Sequence, residues 1–395
     1  MSKLSLQDLD IHGKKVLMRV DFNVPLDEHG AISDDTRIVL ALPSIQYILA
    51  QGGRLILMSH FGRPKGKVDP ELSLKPCREQ LSLLLEQEVK FSPDCIGEKA
   101  HALADSLKPG EALLLENLRF HEGEEHPEKD PSFAKSLASL GEIYVDDAFG
   151  AAHRSHASTV TITEYFPKKC VMGFLMEKEI SYLSKVVLNP KRPFYAIIGG
   201  AKIGSKIGVF NTLRQKVDAI FIGGGMAFTF LKAKGVPIGD SICDNEKLEE
   251  AKQFLKDCEK QAIQVHLPID IVITNETETQ MIHIKEGIPE GWKGMDVGPQ
   301  TVETWSVDLK KGATIFWNGP MGVFEEPVFA HGTNRLAQNL SMMQAEVIVG
   351  GGDSIAAINQ LHLQKSFDHL SSGGGASLEF IENGTLPGVE VLTNK

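Results

Sequence analysis

Five arginines and a histidine in the first half of the chain lie beside the turns that follow apolar runs: Arg19, Arg37, His60, Arg63, Arg119 and Arg154. Taken singly, an arginine most often makes a surface salt bridge contributing ~0–1 kcal/mol. Gathered at one sheet edge, several guanidinium forks make an anion site. Each grips a carboxylate or phosphate in bidentate fashion, and each charged hydrogen bond contributes ~1.5–3 kcal/mol. Asp21 and Asn23, in the segment Arg19–Pro25, offer acceptors for ligand hydroxyls, which a purely basic pocket could not distinguish.

The second half uses glycine instead. The clusters are Gly199-Gly200-Ala201-Lys202-Ile203-Gly204-Ser205-Lys206, Gly223-Gly224-Gly225, Trp317 to Glu325 (with Asn318, Gly319 and Pro320), Gly350-Gly351-Gly352-Asp353-Ser354 and Gly373-Gly374-Gly375-Ala376-Ser377. Glycine lets a ligand lie against backbone, and helix N-termini beyond such turns offer N–H groups and a positive dipole end to phosphates. Glycine also ends strands for steric reasons alone, so it is the recurrence of these clusters that points to a nucleotide. Two familiar signatures fail. Ser205 stands where a P-loop needs lysine, and Ile355 stands where a dinucleotide fingerprint needs Gly or Ala. Asp353 suits Mg²⁺, which takes one or two carboxylates plus phosphate oxygens, and it suits a helix N-cap equally well.

Short apolar runs must carry these residues. They are Val16–Val20, Leu55–Met58, Ala112–Leu115 and Ile143–Val145, then Phe194–Ile198, Ala219–Ile222, Ile269–Ile273, Thr314–Trp317 and Glu346–Val349. Apolar strands alternating with helical patterns, such as Leu72–Leu85 and Asn245–Cys258 (with Asp244 as a cap), indicate parallel sheets covered on both faces. The expectation is two doubly wound, Rossmann-like α/β domains with mainly parallel sheets, whose ligands bind beyond the carboxyl ends of the strands. An amphipathic helix over 173–189, closed by Pro190 and Pro193, joins domains 1–172 and 190–378, and a tail follows over 379–395.

Composition narrows the class. A chain of 395 residues suits two cores, and a net charge of −11 argues against nucleic-acid and acidic-membrane partners. Five cysteines without a close pair fit neither a disulfide framework nor a zinc site, and fit a reducing compartment. The region Met1–Lys15 lacks the apolar core of a signal peptide, and no run approaches a membrane span, so a cytoplasmic, soluble protein is expected. His153 and His156 lack further zinc ligands. His121 and His126, in the acidic stretch Glu122–Asp130, read as solvated surface, and Trp292, Trp305 and Trp317 read as packing residues.

With these motifs in order, the chain resembles the phosphoglycerate kinase family over essentially its whole length. The match is carried by Arg19–Pro25, Asp35–Ile38, Ser59–Pro64, Glu116–Glu125, Asp146–Ser158, Gly199–Lys206, Phe316–Glu325, Gly350–Ser354 and Gly373–Leu378. Phe61, where the family often has Leu, and Ser354, where Thr is frequent, are mild departures. The resemblance implies reversible, Mg²⁺-dependent phosphoryl transfer between 1,3-bisphosphoglycerate with ADP and 3-phosphoglycerate with ATP, by a monomer with a cleft that closes between its domains. It assigns phosphoglycerate to Arg19, Asp21, Phe22, Asn23, Arg37, His60, Phe61, Gly62, Arg63, Arg119 and Arg154. Nucleotide falls to Gly200, Ala201, Lys202, Lys206, Gly223, Gly224, Gly294, Asn318, Pro320, Glu325, Gly351, Gly352, Asp353 and Ser354, with Asp353 on the metal. The implied catalytic positions are Arg37, Lys202, Gly351 and Gly374, and the tail's return to the first domain is likewise implied.

Such an acceptor is a carboxylate with a pKa near ~4, already ionised at neutral pH, so no general base is required. Two rivals remain. A nicotinamide-dependent dehydrogenase needs the fingerprint that fails above, and a non-catalytic binding protein has no need of Arg37, Lys202 and Asp353 together.

Overall fold

The structure, a computed structural model, describes residues 2–275 and 277–395. It divides into two units, one formed by Met1–Ser181 with Thr385–Lys395 and the other by Tyr182–Gly384.

The first unit is built on six parallel strands: β1 (Lys15–Arg19), β2 (Arg54–Met58), β3 (Val89–Phe91), β4 (Ala112–Leu114), β5 (Ile143–Asp146) and β6 (Cys170–Met172). Their order is β3-β4-β2-β1-β5-β6. The chain runs to one side of β1 first and then to the other, so the topological switch lies between β1 and β5. Helices α1 (Thr36–Ala50), α2 (Lys75–Leu85), α3 (Gly97–Asp105), α4 (Glu122–Glu125) and α5 (Pro131–Ala138) fill the connections. In α1, Ile38, Ala41, Ile45 and Ile48 are buried at three- and four-residue spacing and pack on Val16, Met18, Leu55 and Leu57 of the strands. The edge strands β3 and β6, three residues each, are too short to stand out as apolar runs.

Helix α6 (Phe174–Leu188) carries the chain onward, and the unit boundary at Ser181/Tyr182 falls inside it. The division thus falls within the stretch 173–189 expected to connect the two domains. The buried Asp147, just beyond β5, accepts a hydrogen bond from Met176 N at 3.0 Å and so holds the first turn of α6.

The second unit has a six-stranded parallel sheet of β7 (Phe194–Ile198), β8 (Ala219–Ile222), β9 (Gln264–His266), β13 (Thr314–Asn318), β14 (Glu346–Gly350) and β15 (His369–Leu370). Its order, β15-β14-β13-β7-β8-β9, puts the switch between β7 and β13. A smaller sheet, β11-β10-β12, joins β10 (Asp270–Thr274), β11 (Thr279–His283) and β12 (Lys293–Val297) antiparallel. The run Ile269–Ile273 is thus not part of a parallel sheet. Its apolar residues pack instead with Phe228, Leu231, Ile284 and Ile288 in a satellite core.

The remaining helices of this unit are α7 (Ile207–Arg214), α8 (Met226–Ala233), α9 (Leu248–Lys260), α10 (Pro299–Leu309), α11 (His331–Leu340), α12 (Gly352–Gln360) and α13 (Gly375–Asn383). Each of the two long helical patterns opens with a short 3₁₀ turn, at Pro70–Leu72 and Asn245–Lys247. Asp244 makes no cap bond to its own helix, and its carboxylate accepts from Gly204 N at 3.2 Å. The tail expected from 379 begins at 385, because 379–383 complete α13.

The segment Thr385–Lys395, including α14 (Pro387–Glu390), packs on the first unit. Leu386, Val389 and Leu392 are buried there. Leu4 N donates to Thr393 O at 2.8 Å, Thr393 N to Cys170 O at 3.0 Å and Gly388 N to Ala152 O at 2.8 Å. The buried Lys3 ammonium donates to the carbonyls of Glu390 and Leu392, each at 2.7 Å. All five cysteines are free.

Candidate functional site

The tips of β1, β2, β4 and β5 carry the basic residues of the first unit. Asn117, fully buried after β4, sets their spacing: its Oδ1 accepts from Phe61 N at 3.1 Å, and its Nδ2 donates to Phe61 O at 2.7 Å and Leu72 O at 2.9 Å. That clamp fixes the loop 59–64 against the turn holding Arg119. Arg119 Nη1 donates to Gly62 O at 2.8 Å, and its Nε pairs with Glu125 at 3.0 Å. Asn23 Oδ1 accepts from Gly62 N at 2.9 Å, and Asp21 pairs with Arg37 Nη1 at 2.9 Å. Arg63 and Arg154 are exposed and have no carboxylate partner among the described residues. Two unpaired guanidiniums beside two partly paired ones leave a net positive patch on an acidic protein, as an anion site requires.

Burial, reinforced by the neighbouring arginines, lowers the pKa of His60 well below the ordinary range. The same causes bring His156 down to about 3. Both rings are neutral at neutral pH, and the positive charge belongs to the arginines. Besides His60, three residues of the expected phosphoglycerate set are buried. Phe22 and Phe61 are core side chains, so only their backbones border the site. Arg19 is wholly buried and faces protein partners, because strand β1 turns it inward beside Tyr144 and Asp146 of β5.

Two residues are less exposed than the acidic composition around them suggests. Glu124, inside the acidic stretch taken as solvated, has no exposed surface and accepts from Ser158 N and Oγ at 3.0 and 2.6 Å. Its sequence signal was the match to the family segment, not its composition. His121 is half-buried, stacks on Phe133 and bonds Asp94 Oδ1 through Nε2 at 2.7 Å. That direct bond closes the one grouping of potential metal ligands among the described residues, Asp94, Cys95 and His121.

In the second unit the tips of β7, β8, β13 and β14 surround a cavity of about 390 Å³. Gly200, Ala201, Gly224, Gly294, Pro320, Glu325 and Asp353 line it, together with apolar Phe228, Ile242, Met321 and Val323. Apolar walls with carboxylates at the rim suit a flat heterocycle carrying a polar tail. Phe228 and Ile242 lie outside the glycine clusters, so no motif marks them, whereas Met321 and Val323 fall within the cluster Trp317 to Glu325.

Lys206 Nζ donates to Gly199 O at 2.7 Å and to Asn318 Oδ1 at 2.9 Å, which places its charge at the β7/β13 switch. Ser354 is buried, and its Oγ accepts from Gly319 N at 2.7 Å; Trp317 Nε1 donates to Gly319 O at 2.8 Å. These two bonds shape the loop after β13 and do not present side chains to a ligand. Lys202 is exposed, and Gly223 is buried.

The glycines separate into two kinds. A Cβ at Gly199 would lie 2.1 Å from Pro320 O, and one at Gly294 would lie 2.1 Å from the Phe228 ring. Those positions are glycine because protein crowds them. At Gly352 and Gly374 a Cβ would meet nothing within 4 Å. Gly351 precedes α12 as its N-cap with φ of 92°, a conformation that favours glycine. The backbone at the start of α12 is therefore open, and Asp353 sits exposed in that first turn with no hydrogen-bond or ion-pair partner among the described residues, its charge felt by Lys206. A free carboxylate beside open N–H groups fits Mg²⁺ shared with phosphate oxygens.

A family model described as phosphoglycerate kinase matches residues 6–384. Phosphoglycerate kinases of Koribacter versatilis and Chlorobium phaeobacteroides are 53% and 51% identical to the chain, each comparison covering 100% of both proteins. The solved structure of phosphoglycerate kinase from Coxiella burnetii superposes with a TM-score of 0.87 at 38% identity, covering 98% of each chain. That from Pyrococcus horikoshii gives a TM-score of 0.86 at 31% identity, again covering 98% of each.

Proposed function

The chain belongs to the phosphoglycerate kinase family, and from that premise we propose how its own residues divide the reaction. The reaction is phosphoryl transfer between 1,3-bisphosphoglycerate with ADP and 3-phosphoglycerate with ATP, a step of glycolysis. The observation that carries the assignment of roles is that the first unit holds a net positive arginine patch and the second an apolar cavity with an open helix N-terminus.

In this reading Arg63, Arg119 and Arg154 hold the phosphate of phosphoglycerate, and Asp21 and Asn23 accept from its hydroxyl. His60 donates to the ligand as a neutral ring. The base of the nucleotide enters the cavity beside Phe228, Gly294 and Glu325, and its phosphates run toward Lys206 and the first turn of α12. Asp353 would hold Mg²⁺, which supplies charge neutralisation of the phosphate oxygens when bound. Arg37 and Lys202 flank the transferred group, and Gly351 and Gly374 leave backbone N–H groups open to it. Phosphoryl transfer to a carboxylate needs positioning and positive charge rather than proton removal.

A coupled assay with 3-phosphoglycerate, ATP and Mg²⁺ is expected to produce ADP. Absence of ADP formation by folded protein would overturn the reading. A monomer and a cytoplasmic location fit a glycolytic enzyme whose described helices include none long and apolar enough to cross a membrane.

Lys206 supplies a test of the nucleotide site by itself. Burial brings its pKa from the ordinary 10.5 down to about 8. Below that value the folded protein carries the full cost of a buried ammonium. Between about 8 and 10.5 the unfolded chain holds a proton that the folded one lacks, so this group's contribution to stability rises with pH across that window. A phosphate beside it favours the charged form. ADP binding near pH ~8.5 is therefore expected to draw in a fraction of a proton, read by calorimetry in buffers of different ionisation enthalpy. Binding with no proton uptake would remove Lys206 from the phosphate contacts.

A further inference from the structure

Behind the arginine patch lies a buried chain of contacts that phosphoryl transfer does not itself call for. Arg19 has no exposed surface, and all three of its nitrogens are engaged. Nε donates to Ser158 Oγ at 2.9 Å, Nη1 donates to Val20 O, and Nη2 lies 3.0 Å from His60 Nδ1. Ser158 passes the chain on by donating from Oγ to one oxygen of Glu124 at 2.6 Å and from its backbone N to the other at 3.0 Å. Glu124 Oε1 is also 3.9 Å from Arg19 Nη2 and 3.8 Å from His156 Nδ1.

A guanidinium can only donate hydrogen bonds. His60 Nδ1 must therefore accept, so the ring proton sits on Nε2 and the ring is neutral. A second proton, at Nδ1, would set two N–H groups against each other. The buried Arg19 needs a counter-charge to stay in place, because an unpaired buried ion is costly. Two buried carboxylates face it: Asp146 on the neighbouring strand β5, whose pKa burial raises to about 7, and Glu124, whose Oε1 lies 3.9 Å from Nη2.

We propose that Glu124 is a positioning residue of the phosphoglycerate site: through Ser158 it orients Arg19, and Arg19 holds His60 as the tautomer protonated on Nε2. This rests on the reading of His60 as a ligand contact. The groups that face His60 are Arg19 on β1, Asp21 in the loop after it at 4.0 Å, Arg37 on α1, Arg119 after β4 and His156 after β5. Asp21 favours a charged ring, but it is itself paired with Arg37. The cations and burial oppose the second proton. Burial leaves the Glu124 carboxyl above its ordinary range, and Arg19 with the two Ser158 donors offsets only part of that rise. His60 thus offers the substrate one donor whose state is constant across physiological pH, and adds no charge to that of the arginines and their carboxylate partners.

Nitrogen NMR of the full-length, histidine-labelled protein reads the tautomer directly. An unprotonated Nδ1 and a protonated Nε2 at His60, unchanged between pH ~5.5 and ~8, are expected. Protonation of Nδ1 anywhere in that range overturns the proposal. Glu124→Gln keeps the side chain's size and removes its charge. It is expected to mix the His60 tautomers and to raise KM for 3-phosphoglycerate on the order of tenfold with kcat largely retained. A Gln variant with the original tautomer and KM removes Glu124 from the role. Should that variant not fold, Ser158→Ala, which cuts the link and keeps both charges, is read by the same two measurements and the same criteria. The tautomer is independent of turnover, so a failure of the proposal is distinguishable from a failure of the coupled assay on unaltered protein.

Discussion

Replacing Arg37 with alanine is expected to lower turnover by ~10²–10³ while the protein remains folded. Arg37 lies in the first turn of α1 and is more than a third exposed, with a single carboxylate partner, Asp21. Such a pair contributes ~0–1 kcal/mol to stability, so its loss leaves the fold intact. The group in transfer is different, because negative charge gathers on it. A cation ~4 Å away at an effective dielectric of ~20 contributes ~4 kcal/mol, and ~1.36 kcal/mol corresponds to a factor of ten in rate. Arg37→Lys is expected to recover part of the loss, since charge remains but the planar fork does not. Turnover in the coupled assay, read beside the unfolding temperature, decides the matter. A folded alanine variant with near-normal kcat would refute the assigned role.

Leu386→Ala is expected to destabilise the first unit by ~2–5 kcal/mol, the range for buried leucines. Leu386 is fully buried where the segment Thr385–Lys395 docks. For a unit of this size that loss lowers the unfolding midpoint by roughly 4–20 °C. Calorimetry should show the transition of the first unit moving while that of the second stays in place. Movement of the second transition alone would contradict the docking described here. The variant is informative because Leu386 follows Thr385, the first residue of the segment, by one position. A segment that merely rested on the surface would tolerate the change.

Much of the fold was legible because parallel strands covered on both faces are written as apolar runs, and all but one of the runs named became strands of the two large sheets. The exception, Ile269–Ile273, has the same composition, and only its pairing differs. Its partner β11 exposes Thr279, Gln280 and Met281, which leaves no apolar run to announce it. The short edge strands β3 and β6 failed to register for lack of length.

Site residues were legible by type and position, less so by orientation. Arg19 looked like its neighbours at the strand tips, yet strand geometry turns it into the protein. Glu124 vanished into a run of exposed acids because composition averages over a helix of four residues, of which this one points inward. Glycine clusters marked strand tips correctly. Whether each was demanded by protein or left open for a ligand depends on distances that no pattern encodes, as Gly199 and Gly352 show.

The return of Thr385–Lys395 to the first unit also sets an order of events during synthesis. Residues leave the ribosome from the N-terminal side, and domains generally fold as they emerge. Tyr182–Gly384 is continuous and can complete its core as it appears. The first unit begins earlier and finishes later, because Leu4, Ala152 and Cys170 wait for backbone partners that are made only after the whole of the second unit. Until then its β6 edge and the sites for Leu386, Val389 and Leu392 stand uncovered, and a nascent chain paused within the second unit carries that exposed surface with it.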